Sequence, residues 1–259
     1  MSTTLTTPIT VPYPAVEGPL ELRISAGACR LHLAPGDHEA WITGSYVDPS
    51  GGIAVSTEGE GNRMWIRVGR SPADMFGVIS GVPELTLHLG RARPFSLMVE
   101  AGASENQVDL GGLPLLRAEM NHGAGSMEVT FSTPNPVPMT LLKFGVGAGR
   151  TQVTQLGNAN FEELSVEGGA ASYLLDFGGA FTRPAEVRLA TAMASVEARI
   201  PRTLAVELTS ENLLGQPRLD GGFTRKGSRW LSQAAAAGGT PLLRIRSTMV
   251  LGQLTVVTV

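Results

Sequence analysis

The sequence contains few of the residues that most often carry chemistry or bind nucleic acid. Its single cysteine, Cys29, excludes a disulfide within the chain, and histidine occurs only four times. Aromatic residues make up 5% and charged residues 17% of the 259 positions, the latter below the usual quarter. The formal net charge is −3 with both signs interspersed, so the sequence lacks the basic footprint of a nucleic-acid-binding protein.

Segments that would direct the chain into or across a membrane are also missing from the sequence. No run of eighteen apolar residues occurs, which argues against a membrane-spanning helix. The first ten residues have no basic region followed by an apolar one, so they do not resemble a secretion signal. We therefore expect a cytoplasmic protein that associates with a membrane only through a partner.

What the sequence does have is a repeated glycine-alanine mark. Successive marks begin 21, 24, 22 and 22 residues apart, at 102–103 (preceded by Ala101), 123–125, 147–149, 169–171 and, in degenerate form, 191–193. A fixed period in the twenties is typical of solenoids, in which each unit buries its apolar face only by stacking on its neighbours. The marks therefore predict a stack of coils of about 22 residues.

Between the marks, apolar and polar residues alternate with a period of two. Met127, Val129 and Phe131 alternate with Ser126, Glu128 and Thr130, and the same pattern returns at 163–167 and 196–200. This periodicity predicts strands with one dry face and one wet face. Glycine at each mark tolerates positive φ and close backbone approach, as a sharp corner requires. The prediction is an all-β solenoid, with a sandwich of short hairpins as the alternative.

We expect one elongated domain over residues 8–259. Residues 8–94 form an irregular section, in which turn residues such as those at 48–52 and 58–62 separate short strands, and residues 95–259 form the regular repeat. The first dozen residues, rich in threonine and proline, are expected to be a loose lead-in. Trp41 and Trp65 alternate with polar neighbours and are expected to lie in the core.

Two segments resemble a known family: residues 103–129, which contain the mark at 123–125, and residues 214–227 with the closing strands that follow them. They are similar to bacterial toast-rack domains, the adhesin-like domains of LiaF-type cell-envelope stress proteins. The resemblance implies a β-helix-like stack, a non-catalytic role and a link to envelope sensing.

Four carboxylates are the strongest candidates for chemistry. Asp109, Glu128, Asp176 and Glu197 each flank a core position and are expected to face outward in successive coils. A row of acids suits a calcium site or, as in β-helix lyases, an acid-base pair. However, Gln152 takes the matching place in the intervening coil, and Arg150, Arg188 and Arg199 are available as partners. A solvated charged face is therefore the favoured interpretation, and we assign no catalytic, cofactor-binding or metal-binding residue.

The histidines give no stronger signal. His32 and His38 lie near Asp37 and Glu39, but a turn at Pro35–Gly36 separates the two histidines and no second pair lies nearby. His122, beside the mark at 123–125, is expected to form a local hydrogen bond. Cys29, between apolar neighbours, is expected to be a small buried residue.

One apolar segment interrupts the strand pattern at 71–83. Met75, Phe76, Val78 and Ile79 lie between prolines and glycines, so they form either a loop folded over the core or an exposed loop that docks a partner. The first interpretation is favoured; under the second, these four residues form a candidate docking loop.

At the C-terminal end, residues 228–237 are the best helix candidate, and the apolar strand at 254–259 would leave an open edge. That edge predicts self-association through an end of the stack. The most favoured function is a non-enzymatic interaction or scaffold protein with a protein partner. The alternative is a carbohydrate-binding or adhesin-like module, which would need two of the six Trp and Tyr residues exposed in one groove.

Overall fold

The computed structural model describes residues 5–36, 39–49, 53–70, 81–212 and 216–259. Within these ranges the chain forms seventeen strands, one short 3-10 helix and one short α-helix, and the strands are linked through hydrogen bonding into a single system. The candidate docking loop, Met75, Phe76, Val78 and Ile79, lies outside the described residues.

The N-terminal section is made of short strands that pair both parallel and antiparallel. They are β1 (Leu5–Val11), β2 (Leu20–Gly27), β3 (Arg30–Pro35), β4 (Ile42–Asp48), β5 (Ile53–Glu60), β6 (Arg63–Arg70) and β7 (Glu84–Leu89). The predicted loose lead-in is wrong, because β1 pairs antiparallel with β4 over its whole length and buries Ile9 and Val11.

The repeat section is made of long strands of 15 to 17 residues. They are β8 (Phe95–Asp109), β9 (Leu115–Thr130), β10 (Met139–Thr154), β11 (Phe161–Asp176), β12 (Ala185–Ile200) and β17 (Leu242–Thr258). Short elements are inserted before β17: β13 (Ala205–Ser210), β14 (Arg218–Leu219), β15 (Phe223–Lys226), β16 (Arg229–Ser232) and α1 (Gln233–Ala236).

Each long strand supplies two sides of a coil. In β9 the buried positions are Ala118, Met120 and His122 before the mark but Met127 and Val129 after it, so the alternation changes phase across the mark. The two halves face one interior, because His122 Nε2 lies 2.9 Å from Thr151 Oγ1, which follows the mark of the next strand. We call the segment where the phase changes the elbow.

The long strands stack in parallel and in register. Ala124 pairs with Ala103 on one side and with Ala148 on the other, so the marks of neighbouring coils lie side by side. Gly125 shows why glycine is needed there: its φ is +101°, and a Cβ would lie 2.1 Å from the carbonyl oxygen of Ser104. The predicted solenoid is thus confirmed, with the marks inside the strands rather than between them.

The third side of each coil is a short return segment, held by buried asparagines. Asn158 Nδ2 donates to the Phe131 carbonyl at 2.9 Å, and its Oδ1 accepts from the Ala180 amide at 3.1 Å. Asn135 does the same one coil earlier, donating to Leu115 and accepting from Val137. These bonds satisfy backbone groups that irregular chain would otherwise bury unpaired.

Three details of the C-terminal end differ from expectation. The strand at 254–259 is not an open edge, because β17 lies between β12 on one side and β13 and β14 on the other. Only the second part of the predicted helix at 228–237 is helical, with Ser232 as its N-cap. The degenerate mark also lies one residue later than its spacing suggests, since Thr191 pairs with Gly168 and not with Gly169.

Candidate functional site

The four carboxylates do not form one row. Glu128 and Gln152 are neighbours as expected, and Glu197 is in their row, but Asp109 and Asp176 belong to a parallel row two residues further along. Three of the four have a structural partner: Asp109 Oδ1 accepts from the amides of Gly111 and Ser132, Asp176 Oδ1 accepts from Gly178, and Glu197 pairs with Arg199 at 2.7 Å. In the described residues no set of three His, Cys, Asp or Glu side chains could hold a metal ion.

The histidines are also separated. His122 is buried inside the elbow, and its Nε2 lies 2.9 Å from Thr151 Oγ1 across the elbow. Burial lowers the pKa of His122, which is therefore neutral near pH 7, while its Nδ1 has no hydrogen-bond partner in the described structure. His38 lies outside the described residues.

Cys29 is fully buried, as expected for a small core residue. Burial raises the pKa of the Cys29 thiol to about 12, so the reactive thiolate is scarce at neutral pH.

A groove of about 440 Å³ crosses the outer face formed by β7, β3 and the second halves of β8, β9 and β10. Its outward side chains are amides, hydroxyls, imidazoles and carboxylates: His32, Thr86, His88, Gln107, Asp109, Glu128, Thr130, Gln152 and Thr154. No Trp, Tyr or Phe is among these lining residues, so the groove lacks the rings that usually stack on a sugar.

A second groove of about 380 Å³ lies on the other outer face, across β6, β2, β8 and β9. Trp65 and Met98 lie in it on either side of Arg23, with Arg63 and Arg117 in the next row. Trp65 was expected in the core, but the buried residues of β6 are Ile66 and Val68, so the tryptophan faces outward.

The other aromatic residues are distributed elsewhere. Trp41 and Tyr46 are buried in the N-terminal core and Tyr173 in the repeat, while Trp230 packs under the Arg225 guanidinium, 5.3 Å from the ring centroid, near the C-terminal end. Neither groove described above contains two of these rings. The condition set for the carbohydrate alternative is not met in the described part of the chain.

One row of outward side chains crosses the first halves of the long strands and continues to both ends of that sheet. We call it the charged row; from β5 to β15 it consists of Glu58, Trp65, Arg23, Met98, Glu119, Lys143, Ser165, Arg188, Arg246, Thr209, Arg229 and Lys226.

Most interior charges of this row pair with neighbours. Arg23 binds Glu100 at 2.6 Å, Lys143 binds Glu167 at 2.8 Å and Arg229 binds Glu207 at 3.0 Å. The hydrogen bond and charge of Lys143 lower the pKa of Glu167. Because these side chains are largely solvated, the pairs add little stability and mainly neutralise the face.

Uncharged, small and apolar residues form the outer surface of the elbow. One row across six neighbouring strands, which we call the elbow ridge, consists of Ala103, Ala124, Ala148, Ala170, Met193 and Leu251. Its last two members are 57% and 46% exposed, and the adjacent Val250 is 49% exposed. The ridge segments 123–126, 147–149, 191–195 and 248–253 contain no charged residue.

At its other end the elbow ridge meets an apolar cavity of about 470 Å³. Ala103 lines this cavity with Ile53, Val68 and Val82, and Val82 is 49% exposed. The ridge therefore presents apolar side chains at both ends and small residues between them. The spacing of the marks predicted its small residues, but the exposed Met193, Val250 and Leu251 could not be told from core residues by sequence.

The N-terminal part of the chain matches one known protein family. Residues 9–136 match the family described as the N-terminal domain of toast_rack, DUF2154. Residues 9–136 belong to the toast-rack family. Among curated proteins no sequence matches this chain. None of the helices in the described ranges is long and apolar enough to cross a bilayer.

The chain also resembles solved structures at low sequence identity. A candidate cell adhesion protein from Clostridium sporogenes is 13% identical, with a TM-score of 0.51 over 99% of this chain and 100% of that chain. A candidate adhesin from Bacteroides fragilis is 9% identical, with a TM-score of 0.40 over 99% and 98% of the two chains. The first likeness supports the fold of this chain.

Proposed function

We propose that this chain is a non-enzymatic interaction protein that docks a protein partner on its elbow ridge. The observation that carries the proposal is the exposure of Met193, Val250 and Leu251 at the end of an uncharged ridge. Large apolar side chains exposed next to one another, with polar surroundings, are a mark of interaction sites. Methionine suits such a surface because its unbranched side chain adapts to the partner.

A protein fits this ridge better than an anionic lipid surface. Membrane-binding surfaces usually place Lys and Arg beside their apolar residues. Here the outward neighbours of Met193 and Leu251 along their strands are Ser195 and Gln253. The ridge is also straight and in register across six strands, which suits a rigid protein surface.

The non-enzymatic part of the proposal is supported by how the titratable side chains are used. Asp109 and Asp176 hold backbone amides of the return segments, and His122 bonds to Thr151 inside the elbow. An acid-base pair needs two titratable groups that converge on one reactive position. Two of the four carboxylates that the sequence suggested for this role, Asp109 and Asp176, instead bond the backbone of the coils.

Family membership directs the choice of partner. Because the sequence resembles domains of cell-envelope stress proteins, we propose that the partner is an envelope protein, reached from the cytoplasmic side. We also propose that the candidate docking loop, through Met75 and Phe76, adds to the same contact; this rests on its apolar sequence alone.

Partner capture tests the proposal. The wild-type chain and a Met193→Ser/Leu251→Ser variant are used to capture proteins from soluble and detergent-extracted membrane fractions of the source organism. We expect a membrane-fraction partner that the variant loses, with an unchanged melting temperature, because exposed substitutions shift stability by only about 0.5 kcal/mol. A Met75→Ser/Phe76→Ser variant tests the loop in the same way.

The matched control replaces exposed apolar residues away from the ridge. Val16 and Val259 are 39% and 59% exposed, so a Val16→Ser/Val259→Ser variant changes a comparable apolar surface. It should retain the partner. Retention by the ridge variant, or equal loss by the control, would contradict docking on the ridge.

A second candidate function is carbohydrate binding in the groove that contains Trp65. The half-buried indole of Trp65, beside arginines and glutamates, can stack on a sugar ring while the polar groups bond its hydroxyls. Glycan-array binding that disappears in a Trp65→Ala variant would favour this function. Glycan binding that persists in that variant, or no glycan binding at all, would exclude carbohydrate binding through Trp65.

A further inference from the structure

The sheet that carries the charged row ends in two edge strands, β5 and β15. Strand β5 pairs antiparallel with β6, and β15 pairs antiparallel with β16; within the described residues neither has a partner on its other side. An edge strand presents unpaired N–H and C=O groups to any compatible strand. The two edges lie at opposite ends of the stack.

The two edges carry opposite charges. Strand β5 contains Glu58 and Glu60, and β15 contains Arg225 and Lys226. The asymmetry extends beyond the edges: residues 199–259, at the β15 end, carry eight basic and three acidic residues, a net charge of +5, whereas residues 1–94, at the β5 end, carry seven basic and nine acidic residues, a net charge of −2. Opposite ends of two copies therefore attract each other, and identical ends repel.

Strand direction allows one copy to continue the sheet of the next. Most strands of this sheet run in one common direction: β6, β2, β8 to β12, β17 and β13. Strand β5 runs opposite to them, because it is antiparallel to β6. Strand β15 runs in the common direction, because it is antiparallel to β16, which is itself antiparallel to β13. Hence β15 of one copy would meet β5 of the next as an antiparallel pair, an arrangement common in strand addition.

The register of this pair follows from the charged row. The row begins at Glu58 on β5 and ends at Lys226 on β15, so continuing it across the junction places Lys226 opposite Glu58. The next row of outward side chains begins at Glu60 on β5 and ends at Thr224 on β15. Continuing this second row places Thr224 opposite Glu60, which is the same antiparallel register as Lys226 opposite Glu58. Oppositely charged residues directly across antiparallel strands are favourable, and like charges are unfavourable.

The second sheet of the stack is less suited to continuation. Its edge strand β1 contains Pro8, which has no backbone N–H, and its other edge strand, β14, is only two residues long. Both features hinder pairing with another chain. The edges that remain long enough and oppositely charged are β5 and β15.

We infer that copies of this chain associate head to tail, with β15 of one copy pairing antiparallel with β5 of the next and Lys226 opposite Glu58. The contact joins two different surfaces, so it is heterologous and builds a linear assembly unless the rotation between copies closes a ring. It uses the ends of the stack and leaves the elbow ridge free, so it does not depend on the proposed docking function.

Charge reversal at the two edges tests this inference by sedimentation velocity of the full chain over a range of concentrations at low salt. The wild type should associate, and added salt should weaken it. Lys226→Glu places two carboxylates, and Glu58→Lys two ammonium groups, opposite each other across the junction, so each variant alone should associate roughly tenfold more weakly. An equimolar mixture of the two variants should associate like the wild type, because every junction between unlike copies then pairs a carboxylate with an ammonium group.

The mixture distinguishes a lost contact from a damaged fold, since misfolded variants would not restore association. Lys143→Glu is the matched control: it makes the same charge change in the same row but on the interior strand β10, and should associate like the wild type. The inference would be overturned if the wild type were strictly monomeric or if the single variants associated as strongly as the wild type. It would also be overturned if the mixture associated no more strongly than its components, or if Lys143→Glu associated as weakly as Lys226→Glu.

Discussion

Replacing Gly125 by alanine tests the structural role of the elbow. Gly125 has φ +101°, and an added Cβ would lie 2.1 Å from the Ser104 carbonyl oxygen and 3.2 Å from the Ser104 amide nitrogen. The obstructing atoms belong to the backbone of a neighbouring coil, so they cannot rotate away. Relief requires the two coils to separate locally at a place where their strands are hydrogen-bonded.

Two costs add in this variant. Holding a non-glycine residue in a sparsely populated backbone region costs about 1 to 3 kcal/mol. Forcing extra volume into a packed site typically costs about 1 to 3 kcal/mol more. We therefore expect a loss of about 2 to 6 kcal/mol in the free energy of unfolding, and since each 1 kcal/mol lowers the melting temperature of a chain of this size by about 2 to 4 °C, a clear drop in melting temperature.

Two other glycines separate the contributions. Gly61 has φ +60° but nothing within 4 Å of its Cβ position, so Gly61→Ala carries only the backbone cost. Gly69 has an ordinary φ and nothing within 4 Å, so Gly69→Ala should be close to neutral. Urea unfolding should rank the losses Gly125→Ala, Gly61→Ala, Gly69→Ala. A Gly125→Ala variant within about 1 kcal/mol of Gly69→Ala would refute the close approach of the coils at the elbow.

Two further predictions concern buried polar groups. Asn158→Ala leaves the Phe131 carbonyl and the Ala180 amide without their hydrogen bonds, so it should lower the free energy of unfolding, measured in urea, by about 2 to 4 kcal/mol. Thr140→Ala, which removes one exposed hydrogen bond, should lower it by less than about 1 kcal/mol. Equal losses would contradict the role of the buried asparagines in the return segments. Because the folded pKa of His122 lies below its unfolded value of about 6.5, the unfolded chain binds the extra proton, so stability should fall as pH drops through about 6.5. His122→Gln should flatten that slope between neutral pH and the onset of carboxylate titration, and an unchanged slope would be evidence against a buried neutral imidazole.

Much of the repeat section could be predicted from local pattern. Alternation identified Met127, Val129 and Phe131 as buried, because a half-buried strand exposes every second side chain. The marks located the elbows, because only small residues fit where coils approach within 2.1 Å of a Cβ position, as at Gly125. These properties depend on short stretches of chain and on their repetition.

Features that depend on distant pairing could not be predicted in the same way. Nothing in the threonine-rich sequence at 5–11 reveals that it pairs with residues 42–48. Trp65 alternates with polar neighbours as a core residue would, and its outward position is fixed only by the pairing of β6 with β2. The strand at 254–259 was expected to be an edge because the insertion of β13 and β14, which covers it, has no repeat signature.

The candidate site was predictable only in part for the same reason. The small residues of the elbow ridge follow from the repeat, but Met193 and Leu251 are 58 positions apart and become neighbours only through the pairing of β12 with β17. The charge difference between the two ends of the stack was present in the composition, yet its meaning depends on which strands are edges.

Partner capture with the Met193→Ser/Leu251→Ser variant tests the central claim most directly, because it changes only exposed side chains of the elbow ridge. The account predicts that the wild type and the Val16→Ser/Val259→Ser control retain the same membrane-fraction partner and that the ridge variant loses it at an unchanged melting temperature. A ridge variant that captures the partner as well as the wild type would contradict the claim that this ridge is the docking surface.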